Sequence, residues 1–146
     1  LTADSLPVLL CNTSGTDVSA IHAGWKGLLD GAIEAGVAKM QSPSSDIMAW
    51  FGPAIGPNAF EVGDDVRDAF IQHHELAVDA FVKLTNNPGQ DKWLGNIYQL
   101  ATQRLNRLGV NQIYGGGLCT HTDVSRFFSF RRDGVTGRMA TLIWLD

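Results

Sequence analysis

Disulfide chemistry is the first thing this sequence lacks. Its 146 residues include two cysteines, Cys11 and Cys119, too few for the cross-linked framework of a small secreted domain. Two reduced thiols in a cytoplasmic protein are the expectation. Basic charge is scarce as well: 11 Lys and Arg against 15 Asp and Glu leave a net charge of −4. Binding nucleic acid through a broad basic face needs concentrated cations for the phosphates, so no nucleic-acid partner is expected. No apolar run approaches the ~20 residues of a membrane span, so no membrane partner or signal peptide is expected either. Repeats, linkers and low-complexity tracts are also missing.

What remains is an ordinary globular composition, 45% hydrophobic and 18% charged. It is one domain's worth of chain, residues 1–146, able to bury roughly 68–70% of its unfolded surface. Leu6–Cys11 is a nearly continuous apolar run, the pattern of a strand covered on both faces. Thr13–Asp17 is a turn cluster, and Val18–His22 reads as the next strand. Apolar residues recur at helical spacing from Gly27 to Met40, stopping before Ser42-Pro43. Ile47–Phe51 is a short strand closed by Gly52-Pro53-Ala54-Ile55-Gly56-Pro57. Asp64–Gln72 reads as a helix with acidic residues at its start, which the helix dipole favours. Asn86-Asn87-Pro88-Gly89 is the clearest internal loop. Leu94, Ile97, Ala101, Leu105 and Leu108 then mark one face of a long helix closed by Gly109. A strand is expected near Gln112–Tyr114, before Gly115-Gly116-Gly117. Phe127–Arg131 and Met139–Leu145 read as strands joined through Asp133-Gly134. The order is mixed α/β, with too few clean βαβ units for a doubly wound sheet.

Three blocks carry polar groups where chemistry could be done. The first is Thr2-Ala3-Asp4-Ser5-Leu6-Pro7-Val8-Leu9 with Ile21-His22-Ala23-Gly24-Trp25-Lys26-Gly27. The second is Gly52–Pro57 with Phe60-Glu61-Val62-Gly63. The third is Phe128-Ser129-Phe130-Arg131-Arg132-Asp133-Gly134 with Thr136-Gly137-Arg138. Together they resemble the YfiH family, the laccase-domain proteins described as purine-nucleoside-processing enzymes. The resemblance spans nearly all of this chain but only the C-terminal part of the family pattern. It implies an α/β (α+β) fold, a mixed β-sheet sandwich with flanking helices, related to the catalytic domain of cytotoxic necrotizing factors. It also implies phosphorolysis of purine nucleosides, methylthioadenosine included, and deamination of adenosine, with nucleoside and phosphate as small-molecule partners. The chain opens without Met, straight into an apolar strand; a third family ligand, a His in a Val-His-Gly context, is expected to lie outside it.

In the family the first block reads Thr-Ala-Asp-Cys, and its Cys and the following His bind a metal. That places zinc at Ser5 and His22, with copper the alternative suggested by the polyphenol-oxidase name given to some members. Serine is a poor replacement, since a hydroxyl is a hard neutral donor where a thiolate is soft and charged. A Ser5–His22 nucleophile pair is the other chemistry open to these residues, and a serine that only fills the lost thiol's space is the plainest reading. Asp4 is expected as neighbouring acid/base or orienter, and His22 as ligand or general base. Lys26 and Arg131 are the cations expected to hold phosphate, Arg131 with the bidentate geometry of a guanidinium. Cys119, in Cys119-Thr120-His121, is expected as a pocket wall or a reactive thiol. Four histidines, two of them adjacent (His73-His74), are too few for a multicopper cluster. A family member without activity is the remaining alternative, because Ser5 stands at a ligand position.

Overall fold

The computed structural model describes residues 1–85, 89 and 91–146. Its centre is β1 (Leu6–Asn12), the apolar run at the start of the chain. β1 pairs antiparallel with β2 (Val18–Ala23) on one side and with β3 (Ile47–Phe51) on the other. β3 in turn carries β7 (Gln112–Gly115) in parallel, giving a sheet of order β2-β1-β3-β7. A second antiparallel sheet, order β4-β6-β5, is built from Glu61–Gly63, Lys92–Gly95 and Phe81–Lys83. Five helices accompany them: α1 (Trp25–Leu29), α2 (Ala32–Lys39), α3 (Asp64–His73), α4 (Ile97–Arg107) and α5 (Phe130–Asp133). The mixed α/β sandwich is therefore present. Among the described residues no helix is long and apolar enough to cross a membrane.

β1 is covered on both faces, as its composition requires. Leu6, Val8 and Leu10 are fully buried within the main core, which also holds Leu28, Ile33 and Leu105. On the other face Pro7 and Leu9 lie beneath the C-terminal segment: a Cβ on Gly52 would meet Pro7 Cγ at 2.7 Å and Thr141 Oγ1 at 3.2 Å, and Ile143 shares an apolar groove with Leu9. The β1–β2 turn is held by one buried side chain. Asn12 Oδ1 accepts from the N–H groups of Thr16 and Asp17, at 2.8 and 3.1 Å, so the turn's donors are satisfied inside the fold.

Several expectations are corrected. The helix expected from Gly27 to Met40 is two helices, broken at Asp30-Gly31, where Gly31 takes φ 101°. The break is fixed from outside. Arg104 on α4 donates Nη2 to the Leu29 carbonyl at 3.3 Å, and Nη1 to Glu34 Oε1 on α2 at 3.1 Å. Leu94 belongs to β6 rather than to the long helix, because Asn96 caps α4 by accepting from Gln99 N–H at 3.1 Å. The expected Phe127–Arg131 strand is instead the approach to α5, capped by Ser129, whose hydroxyl accepts from Arg132 N–H at 3.2 Å. Met139–Leu145 forms no ladder; its only pairing among the described residues is the isolated bridge Thr2–Met139. Residues 86–88 of the expected loop lie outside the described residues.

The Arg104–Glu34 pair is lopsided, with side-chain exposures of 4% and 34%. Removing the carboxylate strands a buried guanidinium, whereas removing the guanidinium leaves a carboxylate on a partly exposed side chain, whose Oε2 is already buried without a partner. Glu34→Ala is expected to lose about 3 kcal/mol in urea unfolding, and Arg104→Met clearly less. Equal losses would show that burial of the charge does not govern this contact.

Candidate functional site

The site begins where β1 and β2 end. The β1–β2 register sets Leu6 opposite Ala23 and Pro7 opposite His22. Carried one step further, it sets Ser5 opposite Gly24. The two backbones are close there: a Cβ on Gly24 would lie 3.0 Å from Ser5 Oγ. Ser5 and His22 are therefore a diagonal pair on one face, a separation of roughly 7–8 Å between such Cα atoms. No hydrogen bond joins the Ser5 hydroxyl to His22, so the pair is placed side by side without the contact a nucleophile and its base require. Trp25 follows as the first residue of α1.

Asp4 ties this corner to the rest of the molecule. It is the single non-glycine residue with positive φ among those described, at 104°. Its carboxylate accepts from Thr120 Oγ1 and from the Arg131 backbone N–H, both at 2.7 Å, and its carbonyl accepts from Ile55 N–H at 2.9 Å. With both oxygens engaged, Asp4 is arranged as an orienter rather than as a free acid or base. Thr120 is fully buried.

A cavity of about 440 Å³ opens beside Asp4. Asp4, Ser5, His22 and Trp25 line it together with Phe60, Phe130, Arg131 and Arg138. Arg131 reaches the Glu61 carbonyl with Nη1 at 2.7 Å and lies over Phe60, 5.6 Å from the ring centre. Arg138 is held on the carbonyls of Thr136 and Gly137 at 3.1 and 3.0 Å, with its guanidinium 5.9 Å from the Phe130 ring. The Gly52–Pro57 loop forms the floor through Ile55. Tyr98 supports that floor: its hydroxyl accepts from Ala54 N–H at 2.8 Å and donates to the Leu118 carbonyl at 2.9 Å. Burial pushes the Tyr98 hydroxyl above its usual value, which keeps the donating proton in place.

Two expected substrate contacts are not brought to the cavity. Lys26 is exposed and does not line it, because one helical step beyond Trp25 turns the side chain off the walled face. Cys119 lies behind the floor, its Sγ accepting from Gly56 N–H at 3.2 Å. Burial pushes its thiol up, but the Thr122 hydroxyl and the N–H groups of Gly56, Thr122 and His121 donate to the sulfur and hold it below the ordinary thiol value. Arg132, next to Arg131, turns the other way and clamps the carbonyls of Thr120, His121 and Phe127. Phe60 and Arg138 are the cavity residues that the sequence reading left without a role, although both fall in the matched blocks. Phe60 stacks with Arg131 and Arg138 with Phe130, pairings that no local sequence spacing announces.

The metal expectation fits these residues poorly. Zinc takes three or four N, S or O ligands from a protein. The cavity offers one imidazole, the neutral hydroxyls of Ser5 and Thr2, and a carboxylate whose oxygens are already engaged. Among the described residues no group of three or more His, Cys, Asp or Glu could hold a metal ion.

The profile of the family described as multi-copper polyphenol oxidoreductase laccase matches residues 1–146. The chain is 53% identical over 149 residues to a Haemophilus influenzae protein named purine nucleoside phosphorylase, covering all of this chain and 59% of that one. It is 54% identical over 145 residues to the Escherichia coli purine nucleoside phosphorylase YfiH, covering 99% and 58%. The chain belongs to the YfiH, or laccase-domain, family. A crystal structure of a Neisseria meningitidis member agrees with TM-score 0.93 at 50% identity, over 99% of this chain and 58% of that one. The Bacillus licheniformis YfiH structure agrees with TM-score 0.78 at 31% identity, over 91% and 51%. The chain thus spans about three fifths of the length of the curated YfiH-family relatives it matches.

Two outcomes follow from this geometry. Asp4→Ala strips the buried Thr120 hydroxyl and the Arg131 N–H of their acceptor. It should cost about 2–4 kcal/mol in denaturant unfolding and speed amide exchange over residues 127–139; unchanged exchange there would mean that α5 docks without Asp4. Cys119 should alkylate with iodoacetamide along a pH profile shifted below that of an ordinary thiol, followed by peptide mass spectrometry, and a profile at or above the ordinary value would contradict the hydrogen bonds to its sulfur.

Proposed function

We propose that this cavity is the nucleoside site of a purine nucleoside phosphorylase, accepting methylthioadenosine among its substrates. The observation that carries the reading is the meeting of all three sequence blocks around one cavity lined by cationic and aromatic side chains. Its volume of about 440 Å³ suits a nucleoside, within the ~300–1,000 Å³ of ordinary small-molecule sites. The names of the curated relatives support the same substrate class.

In phosphorolysis a phosphate oxygen forms a bond to C1′ of the ribose while the bond from C1′ to the purine nitrogen breaks. The electron pair leaves with the base, which takes up a proton. Arg131 holds the phosphate and offsets its charge as it approaches the sugar. Trp25 and Phe60 provide flat apolar surface for the purine. His22, which lines the same cavity, passes the proton to the departing base in this reading. Asp4 keeps Arg131 in position through its backbone N–H. Deamination of adenosine would use the same purine pocket, with water attacking C6 of the base and the exocyclic amino group leaving as ammonia.

Zinc belongs to this reading only through position 5, and no step above uses it. The oxidoreductase alternative finds little support, because His22 is the one histidine lining the cavity and His73-His74 end α3.

Phosphate-dependent release of adenine from methylthioadenosine, followed by chromatography, tests the proposal. Base release that is absent, or that does not depend on phosphate, would sink it. His22→Gln should lower kcat by about 100-fold, the scale of a lost proton-transfer group. Ser5→Cys should raise zinc retention measured by elemental analysis; unchanged zinc content would overturn position 5 as a ligand site and leave Ser5 as filler.

A further inference from the structure

We propose that Arg131 and Arg138 form a two-guanidinium phosphate subsite, in which Arg138, a residue so far without a role, sets the affinity for the anion. The proposal rests on the phosphorolytic reading for its biological ligand, while the anion chemistry stands on the geometry alone.

Four of the seven arginines are ion-paired, and of the three that are not, Arg107, Arg131 and Arg138, the last two share a cavity. Arg67, Arg104, Arg126 and Arg132 each have a carboxylate partner, in Asp68, Glu34, Asp123 and Asp133. Among the described residues neither Arg131 nor Arg138 has one within 4.0 Å. Asp4, the carboxylate that shares their cavity, is turned to the Arg131 backbone N–H and to Thr120. Among the described residues no carboxylate oxygen therefore lies within 4.0 Å of either guanidinium.

The way each guanidinium is held strengthens the case. Both are fixed by Nη1 alone, Arg131 on the Glu61 carbonyl and Arg138 on the carbonyls of Thr136 and Gly137. The Nε and Nη2 groups of each make no hydrogen bond to the described residues. That pair is a side-on edge of the fork, able to take two oxygens of one phosphate. Each guanidinium also lies against an aromatic ring, Arg131 against Phe60 and Arg138 against Phe130, which limits how far its plane can swing.

The backbone brings the pair to one place. Phe130 and Arg131 adjoin in α5. Arg138 is anchored one residue before Met139, which exchanges N–H···O bonds of 2.9 and 2.8 Å with Thr2 on the cavity's other edge. Uncompensated like charges destabilise a folded chain, so a bound dianion should stabilise this one, and removing one guanidinium should not weaken the ligand-free state.

The experiment uses the full chain and inorganic phosphate. Thermal unfolding and calorimetric titration at constant ionic strength should show stabilisation by phosphate beyond that given by chloride. Arg138→Gln and Arg131→Gln should each raise the phosphate Kd by about tenfold or more, with ligand-free stability unchanged or higher. Phe130→Leu keeps both charges and should raise it by a few-fold. Arg126→Gln, on a paired surface arginine, should leave it unchanged. Wild-type phosphate affinity in Arg138→Gln, or an equal loss in Arg126→Gln, would overturn the subsite. In turnover, Arg138→Gln should raise KM for phosphate and leave KM for the nucleoside. Arginine-dependent phosphate binding without base release would keep the subsite and remove the phosphorolytic reading. Base release with an unchanged phosphate KM in Arg138→Gln would do the reverse.

Discussion

The carboxylate of Asp4 is the contact on which the site depends. One side chain accepts from a hydroxyl 116 residues away and from a backbone N–H 127 residues away, while the same residue's carbonyl holds the Gly52–Pro57 loop. A hydrogen bond to a charged acceptor contributes about 1.5–3 kcal/mol, enough to offset the roughly 1–3 kcal/mol of a strained backbone. Asp4 carries that strain at φ 104°, and aspartate tolerates positive φ better than most residues. Turning the chain there directs the carboxylate inward just before β1 becomes fully apolar. Three blocks separated by tens of residues therefore answer to one polar group, and the cavity is the space left between them.

β1, β2 and β3 of the first sheet were legible in the sequence because, at five to seven residues, they are long enough to show their environment, and β7 because the Gly115-Gly116-Gly117 breaker marks its end. Leu6–Cys11 is apolar without interruption, and it is the strand buried on both faces. The second sheet was missed: β4, β5 and β6 are three or four residues each, too short for alternation to be distinguished from a helical face. Leu94 shows the ambiguity, since its spacing to Ile97 and Ala101 suits a helix until Asn96 is recognised as a cap. Around residue 130 the alternation of Phe128, Ser129 and Phe130 imitates a strand. Tertiary contacts decide otherwise, because Ser129 caps a helical turn and Asp4 takes the N–H of Arg131. Such choices depend on groups more than a hundred residues away and leave no local pattern.

The site itself was half legible. Asp4 and Ser5 come from one segment of the first block and His22 from the other, and they share a corner because the antiparallel β1–β2 pair places them there. Arg131 reached the cavity by a different route from the one its strand pattern suggested. A strand would have separated Arg131 and Arg132 by alternation; a helical turn separates them by rotation, one to the cavity and the other to the carbonyls of Thr120, His121 and Phe127. Lys26 adjoins Trp25 in sequence and Cys119 packs against the floor loop at Gly56, yet both miss the cavity, one by a helical step and the other by the thickness of a loop.

Position 5 then decides the character of the cavity. Ser5 Oγ lies 3.0 Å from where a Cβ on residue 24 would sit, so a glycine at 24 keeps the two backbones close at this corner. A thiolate there would add negative charge and a soft donor beside His22. A hydroxyl adds neither, and the cavity's balance passes to Arg131 and Arg138, which lack carboxylate partners among the described residues. The strongest field in the cavity therefore comes from guanidinium groups, and the ligand it favours is an anion approaching from the side of Phe60 and Phe130. Metal affinity and anion affinity are then separable properties of one pocket, the first set by residue 5 on the β1 wall and the second by the segment that Asp4 draws against it.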